Sequence, residues 1–98
     1  MSGARLVRAL ARSADEHGCA AEVALLAEHG WASATFAGSR FELAVSLPVG
    51  MAAEAWIAAL PEVDLPMPRQ FARSVRVMAR EEAEGRIALK VEAVVLED

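Results

Sequence analysis

The sequence predicts an α+β domain: an antiparallel sheet of four to five strands with two helices on one face, in the order α-β-β-β-α-β-β. Three observations carry this. Residues 31–47 and 74–95 alternate apolar and polar side chains around glycine-containing turns, the pattern of half-buried hairpins. Residues 4–17 and 51–60 instead repeat their apolar side chains at helical spacing. Finally, 98 residues suffice for one core, so residues 1–98 form a single domain.

The first helix sets Leu6, Val7, Leu10 and Ala14 opposite Arg5, Arg8 and Arg12, and Gly18 ends it. Residues 19–28 are ambiguous. Their Ala, Glu and Leu content suits a helix capped by Gly30, whereas the alternation of Ala21, Val23, Leu25 and Ala27 suits a strand. A strand is the expectation, because Glu28-His29-Gly30 reads as a turn into the following hairpin.

In that hairpin Gly38-Ser39 supplies a two-residue turn, with glycine where positive φ is needed. Pairing outward puts Phe36 opposite Phe41, Ala34 opposite Leu43 and Ala32 opposite Val45 on one apolar face. The reverse face receives Trp31, Ser33, Thr35 and Arg40. Pro48-Val49-Gly50 ends the strand, and a second helix lines up Met51, Ala52, Ala55, Trp56, Ala59 and Leu60 before Pro61. Leu65-Pro66-Met67-Pro68 then reads as a stiff extended strap. The last hairpin turns at Ala83-Glu84-Gly85, which sets Ala79 against Leu89, Val77 against Val91 and Val75 against Ala93, with Arg76 facing Glu92 outside.

Composition narrows function without naming one. A net charge of −4 and a pI near 5.1 disfavour a dedicated nucleic-acid binder. The single Cys19 makes no internal disulfide, and with two histidines it makes no Cys-rich zinc site, so a reducing cytoplasm is expected. Arg5, Arg8 and Arg12 interrupt any apolar run long enough for a signal peptide or a membrane span. No cofactor is expected either.

Catalysis has thin support. His17, Cys19 and His29 are the types used in nucleophilic chemistry, but nothing in the spacing supplies an activating environment. Glu81, Glu82 and Glu84 fall at a solvated loop tip, and no phosphate loop, nucleophile elbow or HExxH is present. No residue is therefore assigned as catalytic.

The outer sheet face is more informative. Six of the ten basic residues lie between Arg69 and Lys90, so Arg40, Arg76, Arg80, Arg86 and Lys90 form a candidate anion or RNA site. Trp31 alone offers a base-stacking platform. Trp31, Met78, Val94 and Leu96 share outer parity and form a candidate apolar interface, which a symmetric dimer through the open face or an exposed sheet edge would bury. The leading expectation is a non-catalytic protein-interaction module that forms a homodimer. An anion- or RNA-binding domain and a small enzyme are the alternatives.

Trp31-Ala-Ser-Ala-Thr-Phe-Ala-Gly-Ser-Arg40 resembles a hairpin of small bacterial α+β proteins, a likeness that implies no activity. The element order is similar to secretion-chaperone-like folds, which implies a small acidic dimer that binds proteins without catalysis. The first three strands and second helix are also similar in order to a double-stranded-RNA-binding domain. Here, however, that helix begins Gly50-Met-Ala-Ala-Glu in place of the family's phosphate-binding lysines.

Overall fold

The computed structural model describes residues 2–63, 65–67 and 70–97. Helix α1 (Ser2–Glu16) leads into strands β1 (Glu22–Ala32) and β2 (Ala37–Pro48), then helix α2 (Met51–Ala59) and a 3₁₀ turn, Leu60–Glu62. Strands β3 (Pro66–Met67), β4 (Gln70–Ala83) and β5 (Arg86–Glu97) follow. One antiparallel sheet results, in the order β1-β2-β5-β4-β3. Four of its strands are long and β3 contributes only two residues. Pro68 and Arg69, at the end of the expected strap, lie outside the described residues.

Both helices pack on one sheet face, where Leu6, Leu10, Trp56 and Leu60 meet Phe41, Leu43, Val45, Leu47, Ile87, Leu89 and Val91. The α1 stripe is buried as its spacing requires, while its arginines stay exposed. Close approach depends on Gly3: a Cβ there would stand 2.9 Å from Leu25 Cδ2 and 3.6 Å from Phe41 Cε1. The helix ends in a Schellman turn. Gly18 takes φ 83°, its N–H bonds Asp15 O, and the Cys19 N–H bonds Ala14 O, each at 3.0 Å. In α2, Met51 and Ala55 depart from the expected stripe, Met51 being 91% exposed, and Ala53 and Trp56, with Leu60 after the helix, do the burying.

Two strands precede α2 where three were expected, so the order is α-β-β-α-β-β-β, and the first hairpin differs from expectation in its turn. Residues 28–30 do not bend, and β1 runs unbroken to Ala32. The reversal falls at residues 33–36, where the Ser33 hydroxyl accepts from the N–H of Thr35 (3.4 Å) and Phe36 (3.1 Å), and the Ser33 N–H reaches Phe36 O at 2.7 Å. A serine side chain thus closes the turn that glycine geometry was expected to close. Gly38 and Ser39 sit inside β2 instead, and Val23, Leu25 and Glu28 face Val45, Leu43 and Phe41. Ala32 and Ala34 are consequently exposed, not core. Length reinforces this: a twelve-residue strand spans about 40 Å, a fifteen-residue helix about 22 Å, so the hairpin tip projects past its cover.

The second hairpin is one residue tighter than expected. Glu84 (φ 55°) and Gly85 (φ 76°) alone make the turn, both left-handed as a type I′ loop demands. Register near the turn therefore shifts, and Ala79 faces Lys90 while Arg80 faces Leu89. A bulge at Met78 absorbs the extra residue and restores Val77–Val91, Arg76–Glu92 and Val75–Ala93. An alanine at position 85 would meet open space but keep the positive φ, so Gly85→Ala should cost about 1–2 kcal/mol in denaturant unfolding. A loss near zero would show that the turn relaxes.

Candidate interaction surface

The bulge at Met78 decides which predicted residues share a face. Beyond it the alternation of β4 flips, so Arg80 leaves the outer face and turns toward α2, where its guanidinium donates to Glu54 at 2.8 and 2.6 Å and to Glu82 at 3.1 Å. The expectation of an outward Arg80 is thereby corrected. Those hydrogen bonds hold the Glu54 carboxyl below its usual range and raise the guanidinium's already high value.

The other four predicted cations stay outside, and two of them meet a carboxylate. Arg76 stands 3.5 Å from Glu92, and Lys90 stands 3.5 Å from Glu42, which His29 also approaches at 3.7 Å. Arg86 donates to the Ser46 hydroxyl at 3.0 Å, near the Glu84-Gly85 turn. Among the described basic side chains of the sheet, Arg40 alone has neither an ion pair nor a hydrogen-bonding partner. A continuous five-residue anion site does not assemble, because acidic neighbours interleave it.

The expected apolar patch is also divided. Leu96 is only 6% exposed, in register with Gly38 on β2, so it offers little surface to a partner. Met78 is exposed at its bulge, with its Sδ beside the Arg76 guanidinium at 3.5 Å. The Arg76–Glu92 pair lies between it and the half-buried Val94 along the ladder. What remains together is Trp31, 39% exposed, and Val94, which with His29, Gly30 and Arg40 line a shallow cleft of about 400 Å³. Gly38 seats the indole: a Cβ there would stand 3.0 Å from Trp31 Cζ2.

Sequence reasoning allowed for contact through an exposed sheet edge but did not say which strand forms it. β1 ends the sheet, and its outward side pairs with nothing among the described residues. From Val23 to Ala27 it carries no charge, and Leu25 and Leu26 are 40% and 57% exposed. The signal was the Leu25-Leu26 doublet, which breaks strict alternation and becomes a bulge between residues 25 and 27. The opposite edge, along β4 past its short pairing with β3, presents Arg76, Arg80, Glu81 and Glu82.

The nucleophile candidates are arranged for packing. Cys19 is buried, its thiol directed at Ala14 O (3.3 Å) and near Ala52 O (3.9 Å), and burial followed by the Asp15 charge raises its pKa. His17 Nδ1 lies 2.9 Å from Ser13 O at the end of α1, while His29 is on the far face of the sheet. A raised pKa leaves less thiolate at pH 8, so alkylation of native Cys19 should run at least about tenfold slower than in the urea-unfolded chain. Equal rates would contradict this burial. Among the described residues, no three His, Cys, Asp or Glu side chains gather as metal ligands, and no helix is long and apolar enough to cross a membrane. A scan of protein-family models finds no match to this chain, and a search of curated proteins likewise finds none.

Proposed function

We propose that this domain is a non-catalytic protein-interaction module whose partner is a second copy of itself, joined along β1. The observation that carries this is the uncharged, unpaired edge from Val23 to Ala27, with two leucines open to water. An open edge offers backbone N–H and C=O groups to another strand, and proteins that do not use such an edge commonly place charge on it. The β4 edge has that charge, and on β1 the stretch from Val23 to Ala27 lacks it, with Glu22 and Glu28 only at its ends. Antiparallel pairing of β1 with its symmetry mate would use up both apolar edges and leave only charged ones outside, so assembly stops at two. The single thiol, buried and not disulfide-bonded, suits a reducing cytoplasm.

Light scattering over a concentration series tests this, together with amide exchange. A dimer should appear in the micromolar range, with the outward amides of residues 23–27 becoming protected as it forms. A monomer throughout that range, or a dimer that leaves those amides exchanging freely, would overturn the assignment.

A further inference from the structure

We infer that the cleft beside Trp31 binds a small aryl-bearing carboxylic acid, the Arg40 guanidinium taking the carboxylate and the indole face taking the ring. It takes His29, Gly30 and Trp31 from β1, beyond the stretch 23–27 proposed to pair, and does not rest on that pairing. Its parts come together through register. His29, Arg40 and Val94 lie in one row across β1, β2 and β5 on the outer face, and Trp31 stands diagonal to Arg40 on the same side. Together with Gly30 they line about 400 Å³, within the range of small-ligand clefts.

Two features make it a site and not merely a dent. First, the indole is positioned by the chain itself: Gly38 lies directly across from Trp31, where a Cβ would crowd both Val95 O and the indole Cζ2 and Cε2, and Trp31 stays part-exposed. Second, charge in the row is uncompensated at one place. Glu42 is the nearest carboxylate on that face and is already approached by His29 (3.7 Å) and Lys90 (3.5 Å), which leaves Arg40 without an anion among the described residues. A guanidinium fork binds a carboxylate bidentately, and an aromatic ring next to it selects a planar, apolar body. The Glu42–Lys90 pair bounds the row on one side, and the five lining residues leave room for one ring.

The probe is 3-phenylpropionate, followed through the indole Nε1–H resonance of Trp31. Trp56 is the internal reference, because its own indole N–H is buried against Ser13 Oγ at 3.0 Å. The Trp31 signal should titrate with a dissociation constant on the order of 1 mM while Trp56 stays still. Neutral 3-phenylpropionamide, ringless propionate and the Arg40→Gln variant should each weaken the response at least about tenfold. Arg40 is exposed, so the variant should fold, and an unchanged Trp56 resonance verifies it. No Trp31 shift at about 50 mM probe, an amide or propionate as effective as the acid, or an undiminished response in Arg40→Gln would overturn the assignment.

Discussion

Trp56→Ala should remove about 3–5 kcal/mol of stability, the largest loss from any single truncation in this chain. Trp56 is the largest of the fully buried side chains, and it lies where α2, α1 and the sheet meet. Its removal leaves a cavity that three elements border and none can close alone. It also strips the buried Ser13 hydroxyl of its indole donor at 3.0 Å, an additional cost because buried polar groups lose water's hydrogen bonds on folding. For a domain of this size, total stability is roughly 5–15 kcal/mol, and each lost kcal/mol lowers the melting temperature by about 4–8 °C. The variant should therefore melt at least about 12 °C lower or fail to fold at ambient temperature. Trp56→Phe keeps most of the volume and should cost about 1–3 kcal/mol, isolating the hydrogen bond from the packing. Denaturant unfolding of both variants decides the matter. A loss below about 1 kcal/mol for Trp56→Ala would mean the helices do not meet the sheet through this residue.

Leu26→Lys should raise the dimer dissociation constant at least about tenfold, or about 1.4 kcal/mol, while changing monomer stability by no more than about 0.5 kcal/mol. The reason is asymmetric. In one copy the Leu26 side chain is 57% exposed, so the lysine costs little; in a paired edge the same ammonium would be brought against its mate and stripped of water. Met78→Lys is the matched control, since Met78 is also exposed at a bulge but on the β4 side. Sedimentation velocity on both variants separates the edges. If Met78→Lys dissociates the dimer and Leu26→Lys does not, self-association runs through β4 and the β1 assignment fails.

The two hairpins show why alternation is legible and turn placement is not. The faces of β2 and β5 follow directly from Phe41, Leu43, Val45 and Leu47 and from Ile87, Leu89, Val91, Ala93 and Val95, all buried as their parity requires. The turns were set by smaller energies. Gly38-Ser39 has suitable turn residues, yet moving the reversal to residues 33–36 lets β1 lengthen and pair ten of its residues with β2. Ladder hydrogen bonds and the burial of Leu43 against Leu25 outweigh a local glycine preference. Bulges are less visible still. The bulge at Leu26 leaves only the Leu25-Leu26 doublet as its mark and that at Met78 leaves none, yet each reverses the alternation that follows it, which is why Arg80 meets α2.

From sequence alone came the α+β class with an antiparallel sheet, the two helices, the buried stripe of α1, and the strand faces nearest the core, because periodicity in apolar residues is a property of the chain. Strand order, the exposed β1 edge, the neutralised cations and the isolated Arg40 beside Trp31 were decided only by the packed tertiary structure. These depend on which segments become neighbours across the sheet, and a one-residue change in a turn or bulge alters that at a cost too small to read from the residues that make it.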